Sequence, residues 1–185
     1  MAKVRLLKPD IYVERVVDVS AQYLQSRGLN GLLLDMDGTL KNFHDIAVAT
    51  HVADWMNDLR KSGIHLCLLS NGRSKRIARL AAALDVPFVA EALKPFPFGC
   101  RKAIQELGLA KHEVAIAGDQ IFADHLAGRL AGLFTILVRP TSLEEPWFTR
   151  LKRPLESVIT KRLSFAVLSC EDRIVADSVS KTAVK

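Results

Sequence analysis

Short apolar runs that stop abruptly at polar residues recur along this chain, and helical spacing fills the gaps between them. Leu32-Leu33-Leu34 stops at Asp35 and Asp37. Ile64-His65-Leu66-Cys67-Leu68-Leu69 stops at Ser70-Asn71-Gly72, Val86–Ala90 leads into Lys94, and Val114-Ala115-Ile116-Ala117 stops at Gly118-Asp119-Gln120. Runs this short, with so few polar interruptions, read as strands buried on both faces of a parallel sheet, and Phe134–Val138 is a further one. Between them lie amphipathic helices: Val52, Trp55, Met56 and Leu59 fall at i, i+3, i+4 and i+7, as do Ile77, Leu80, Ala81 and Leu84. Cys100, Ala103, Ile104 and Leu107 mark a third helix, and Ile121–Ala131, stopped by Gly132, a fourth. Alternating strands and helices predict an α/β chain: a single Rossmann-like, three-layer α/β/α domain with a mainly parallel sheet of about five strands and right-handed crossovers.

The ends are less regular. Residues 10–27 read as an N-terminal helix, with Asp10 as N-cap, an apolar stripe of Tyr12, Val13, Val16, Val17 and Leu24, and Gly28 as the stop. Packing on the sheet is the plain reading of that stripe, and membrane contact the sharper one. Beyond the core (31–140), Arg139-Pro140 and Glu144-Glu145-Pro146 mark a loop, Trp147 and Phe148 follow, and 154–167 reads as a helical segment. Residues 169–185 are polar or small and read as a flexible tail, which leaves one domain over 1–168.

The first polar outcrop bears chemistry. Asp35 and Asp37 would be costly in the core, so they must emerge at the strand's C-terminal end, on the same side of an extended chain. Two neighbouring carboxylates suit a hard divalent cation such as Mg²⁺. Asp-X-Asp-Gly is also turn chemistry, and it resembles part of a calcium loop. The calcium reading fails, because the twelfth residue from Asp35 is Ile46 where a glutamate is needed.

In a parallel sheet every strand's C-terminus lies along one edge. Asp35/Asp37, Ser70, Lys94 and Asp119/Asp124 can therefore meet at one site, although they span about ninety residues. Such a set suits phosphoryl transfer: a carboxylate nucleophile, a second carboxylate as acid/base, a hydroxyl and a lysine on the phosphate oxygens, and a cation to offset repulsion. Taken singly, Ser70 also reads as a helix N-cap, Lys94 as an exposed loop lysine and Asp124 as a helix-surface charge. The run Arg73, Lys75, Arg76, Arg79 reads as a solvated helix face, or as the rim of the site.

Composition narrows the setting. The 185 residues carry a net charge of +6 with a pI near 9.4, which favours anionic partners. Without basic and aromatic residues interleaved, nucleic acid is not expected. There is no transmembrane run and no signal-peptide pattern, so the cytoplasm is the expected location. Cys67 and Cys100 fall on core-facing positions, and with Cys170 they form no zinc spacing.

These motifs, in this order and spacing, resemble the haloacid dehalogenase superfamily of aspartate-nucleophile phosphatases. Asp35-Met36-Asp37-Gly38-Thr39-Leu40 matches its first motif, Ser70 the second, Lys94 the third and Gly118-Asp119 through Asp124 the fourth. The resemblance implies Asp35 as nucleophile, Asp37 as acid/base, and Ser70, Asn71 and Lys94 as phosphate ligands. It further implies Mg²⁺ held by Asp35, Asp119 and the main-chain carbonyl of Asp37, with Asp124 in support. The gaps between motifs hold one strand–helix unit each, which leaves no cap domain and an open site.

Ala92-Leu93-Lys94-Pro95, Gly118-Asp119-Gln120-Ile121-Phe122-Ala123-Asp124, Thr135–Pro140 and the basic stretch Thr149–Glu156 are similar to the YqeG-like, subclass IIIA branch, which includes phosphatidylglycerophosphate phosphatases. That branch usually has asparagine where Gly38 and Gly72 stand. The expected activity is phosphatidylglycerophosphate hydrolysis by an enzyme peripheral to the membrane. In that setting Tyr12, Trp147 and Phe148 are candidates to dip into an anionic bilayer surface, or else core residues. The alternatives are a soluble sugar or nucleotide phosphate or a nucleic-acid 3′-phosphate as substrate, and a non-catalytic binding protein on the same fold.

Overall fold

In the computed structural model, residues 7–42, 44–141 and 166–167 are described. Seven strands form one sheet in the order β4-β3-β2-β5-β6-β1-β7, every pair parallel. They are β1 (Ile11–Val13), β2 (Gly31–Leu34), β3 (His65–Leu69), β4 (Phe88–Val89), β5 (Val114–Gly118), β6 (Phe134–Val138) and β7 (Ala166–Val167). The helices are α1 (Ala21–Ser26), α2 (Thr50–Lys61), α3 (Ser74–Leu84), α4 (Phe98–Leu107) and α5 (Leu126–Ala131).

Because side chains alternate along a strand, each central strand feeds two cores. Leu32 and Leu34 face Val52, Trp55, Met56 and Leu59 of α2 and Ile77, Leu80 and Ala81 of α3. Leu33, Cys67, Leu69 and Ile116 face Cys100 and Ala103 of α4 and Ala127 and Ala131 of α5. The sheet thus lies between two helical layers, as the periodicity predicts. Both cysteines are buried in this packing, which pushes each thiol up to about 12.

The N-terminal helix over 10–27 is not formed as one element. Ile11-Tyr12-Val13 is strand β1 on the edge of β6, a 3₁₀ turn covers Val16–Asp18, and only Ala21–Ser26 is α-helical. Ile11 and Val13 are buried and Tyr12 partly so, a period of two embedded in what resembles a helical stripe. Asp10 is not a cap. Its carboxylate accepts from the Thr135 backbone N–H at 2.8 Å, the Thr135 hydroxyl at 3.0 Å and Arg129 at 2.7 Å, which docks the segment onto β6. The true N-cap is Ser20, which accepts from the Tyr23 N–H at 3.1 Å. Tyr12 lies within the sheet, its hydroxyl donating to Glu14.

Ala166-Val167, expected at the end of a helix over 154–167, instead pair with β1 as β7. With β1 they raise the strand number from about five to seven. Phe43, Trp147, Phe148, the basic stretch 149–156, most of the 154–167 segment, Cys170 and the 169–185 tail lie outside the described residues.

Candidate active site

Strand order reverses between β2 and β5. From β2 the chain winds outward to β3 and β4, and from β5 it winds the other way to β6. A crevice forms at such a switch point, beyond the strands' C-terminal ends. Asp35 follows β2 and Asp119 follows β5, on adjacent strands tied by the Asp35 N–H to the Ala117 carbonyl at 2.9 Å. The buried polar residues Asp35, Thr39, Lys41, Ser70, Lys94, Asp119 and Asp124 all lie at this edge. Burying such groups is costly unless they are hydrogen-bonded, ion-paired or bound to a ligand.

Lys94 is the hub. Its ammonium donates to Asp35 Oδ1 and to Asp124 Oδ1, both at 2.5 Å, and to the Leu69 carbonyl at 3.0 Å. Burial works against its charge, but Asp124 and Asp35 outweigh burial and raise its pKa. Asp35 is pushed up to about 7, first by burial and then by the negative charge of Asp124, against the pull of Lys94. The exposed-loop reading of Lys94 therefore fails, and so does the surface reading of Asp124: each is 7% exposed or less.

Asp35, Asp119 and Asp124 offer carboxylate oxygens that all lie within 4.8 Å of one another. Three buried carboxylates around one lysine leave unbalanced negative charge, and oxygen-only donors match a hard divalent cation. The residues fit a metal. A one-turn π-helix, Ile121–His125, carries Asp124 back to the strand end, where its Oδ2 accepts from the Gln120 N–H at 3.1 Å.

Asp37's carboxylate has other partners. Lys41 donates to its Oδ1 at 2.7 Å, and Arg76 grips both oxygens at 2.8 and 2.9 Å. Lys41 is 4% exposed and was not singled out from sequence, since a lysine four residues past Asp37 has no motif to mark it. Arg76 belongs to the run Arg73–Arg79; the rim reading holds for this residue.

Gly38 makes the turn between these carboxylates at φ +88°, and a Cβ there would lie 2.7 Å from Asp119 Oδ2. A side chain at 38 would therefore displace the Asp119 carboxylate. Ser70 is buried and accepts from the Gly72 N–H at 3.1 Å; it does not cap α3, which starts at Ser74. The Asn71 side chain clamps the Lys94 backbone, accepting from its N–H at 2.8 Å and donating to its carbonyl at 3.0 Å. That side chain positions the lysine's loop.

One helix separates each pair of motif-bearing strands: α2 between β2 and β3, α3 between β3 and β4, α4 between β4 and β5. Among the described residues no cap covers the site, and no helix is long and apolar enough to cross a membrane.

Comparison with known proteins agrees with this geometry. A family model described as haloacid dehalogenase-like hydrolase matches residues 43–132. The chain is similar to the probable phosphatase YqeG of Bacillus subtilis, 28% identical over 155 residues, covering 84% of this chain and 90% of that protein. It is also similar to the chloroplastic phosphatidylglycerophosphate phosphatase 1 of Chlamydomonas reinhardtii, 29% identical, covering 90% of this chain and 64% of that relative's length. Among solved structures, NagD from Escherichia coli shares the fold with a TM-score of 0.54 at 16% identity, over 75% of this chain and 95% of that one. The cobalt-bound deoxy-D-mannose-octulosonate 8-phosphate phosphatase of Haemophilus influenzae does so at 0.50 and 16%, over 73% and 89%.

Proposed function

We propose that the chain is a phosphatase of the haloacid dehalogenase superfamily that hydrolyses phosphatidylglycerophosphate through an aspartyl-phosphate on Asp35. The observation that carries the chemistry is the convergence of Asp35, Asp119, Asp124 and Lys94 on one buried point at the open edge of the sheet. Support for the lipid comes from the relatives of that activity and from a cap-free crevice, which admits a head group still anchored in a bilayer.

Asp35 attacks phosphorus, and the bond from phosphorus to the glycerol oxygen breaks. Asp37 protonates that oxygen as it leaves, then takes a proton from the water that cleaves the acyl phosphate, releasing inorganic phosphate. Lys94 and the Ser70 hydroxyl hold the transferring oxygens, while Lys41 and Arg76 fix the Asp37 carboxylate beside them. Mg²⁺, held by Asp35, Asp119 and the Asp37 carbonyl with Asp124 in support, would offset repulsion between Asp35 and the substrate's phosphate. The enzyme would work in the cytoplasm, at the membrane surface.

Metal binding has a readout apart from turnover. Saturating Mg²⁺ should raise the wild-type melting temperature by roughly 5–10 °C, as a ligand at about 100 times its Kd contributes about 2.7 kcal/mol. Asp119→Asn should lose most of that rise; an unchanged rise would remove Asp119 from the metal site.

The substrate is tested by Mg²⁺-dependent phosphate release from phosphatidylglycerophosphate in mixed micelles, beside a panel of soluble phosphomonoesters. The lipid should exceed every soluble ester in kcat/KM by at least ~100-fold, about 2.7 kcal/mol of transition-state binding. Equal or better turnover of a soluble ester would overturn the lipid assignment and leave the phosphatase chemistry intact.

A further inference from the structure

The loop that delivers Lys94 presents an apolar face to solvent. Its ends close on each other: a Cβ on Gly99 would lie 2.6 Å from both the Cβ and the carbonyl oxygen of Ala92. Between these points Lys94 turns inward to the carboxylates and Leu93, Phe96 and Phe98 turn outward, 63%, 58% and 59% exposed. They make up half of the six large hydrophobic residues exposed among the described residues. The Phe96 and Phe98 rings stack on each other, with centroids 6.1 Å apart, rather than on the core. The Phe96 N–H closes a turn onto the Leu93 carbonyl at 2.9 Å, and the Asn71 clamp holds Lys94, so the face is presented by a braced loop. Clustered exposed apolar side chains of this kind mark an interaction surface.

Its neighbours are basic. Arg73, Lys75 and Arg76 open α3 and Arg101 and Lys102 lie in the first turns of α4, all exposed and all at the sheet edge that holds the site. From Ser70 to Gln105 the acidic residues are Asp85, at the far end of α3, and Glu91.

We propose that Leu93, Phe96 and Phe98, ringed by Arg73, Lys75, Arg101 and Lys102, form a docking surface that inserts into the interface of an anionic lipid bilayer and sets the active-site mouth against it. Aromatic side chains flanked by Lys and Arg suit the boundary between head groups and acyl chains. Each well-placed Lys or Arg strengthens attachment to anionic lipid by about five-fold. Charge complementarity also argues against a second copy as the occupant, because pairing two such faces would bring the basic residues against themselves. The proposal rests on the lipid-substrate reading for its biological sense, and its test does not use that substrate.

The full chain is sedimented with vesicles of 40% phosphatidylglycerol in phosphatidylcholine, which contain no phosphomonoester, and with phosphatidylcholine alone. Wild type should bind the first, at least ten-fold more weakly in 0.5 M NaCl, and not the second. The double variant Phe96→Ser, Phe98→Ser should bind at least ~30-fold more weakly, with p-nitrophenyl phosphate turnover within two-fold of wild type. That turnover also reports its folding. As an independent measurement, Phe96→Trp should gain fluorescence that brominated lipid quenches. Undiminished vesicle binding by the double variant, failure of wild type to bind anionic vesicles, or a wild-type dimer that the double variant converts to monomer would each overturn the surface. Preference for a soluble ester in the micelle assay, with vesicle binding intact, would overturn the substrate and leave the surface standing.

Discussion

Asp35→Asn is expected to lower phosphate release by at least ~10⁴-fold, about 5.5 kcal/mol in activation free energy, with no loss of stability. The amide cannot form the acyl phosphate, so chemistry stops. Stability survives because the buried site holds more carboxylates than lysines. Burial, and after it the negative charge of Asp124, raises the Asp35 pKa, so without metal the neutral form of that carboxyl is favoured more than it is in water. Asparagine resembles that neutral form in shape, and its carbonyl oxygen can still accept from Lys94. Urea melts without metal should give a midpoint equal to or above wild type, while initial rates fall to background. Appreciable turnover in this variant would remove Asp35 as nucleophile, and a collapse in the midpoint would contradict the charge imbalance.

Lys94→Met is expected to be harmful in both respects. Lys94 lies between Asp35 and Asp124 with its side chain 3% exposed, so its loss leaves two buried carboxylates without their cation. Breaking a buried pair from one side costs roughly 3–5 kcal/mol, which for a chain of this size lowers the melting temperature by roughly 6–20 °C. Phosphate release should fall below detection, because the transferring oxygens lose their buried cation. Adding Asp124→Asn should recover part of the stability and none of the activity, which separates charge balance from catalysis in a double-mutant cycle. If Lys94→Met melts with wild type, the ammonium is not what compensates Asp35 and Asp124.

Much of the site was legible one strand at a time. An apolar run that ends in a carboxylate has a single physical solution, since the run must be buried and the charge must not. Asp35, Ser70, Lys94 and Asp119 each follow such a run, and a parallel sheet brings all such ends to one edge. Lys41 escaped notice, and Arg76 stood only as one of a basic run at a possible rim, for the opposite reason. One lies in a turn and the other on a basic helix face, and neither position carries a periodic signal. Their grip on Asp37 depends on how Gly38 turns the chain and how α3 leaves β3. Asn71 was seen, but as a phosphate ligand, because a side chain that clamps a backbone 23 residues away leaves no trace in local pattern.

The termini show the same division. Three residues of strand are too short to express a period of two against a competing helical stripe, so Ile11–Val13 read as helix until Asp10 found Thr135 and Arg129 across 125 and 119 residues. Sequence alone determined the α/β class, the placement of the central strands and which polar residues gather at their ends, because burial and helical spacing are local properties of the chain. Only the tertiary structure decided the strand order, the place of β1 and β7 on the sheet, the partners of Asp37 and the outward face of the Lys94 loop. Those rest on contacts between residues far apart in the chain, whose energies exist only once the sheet has closed.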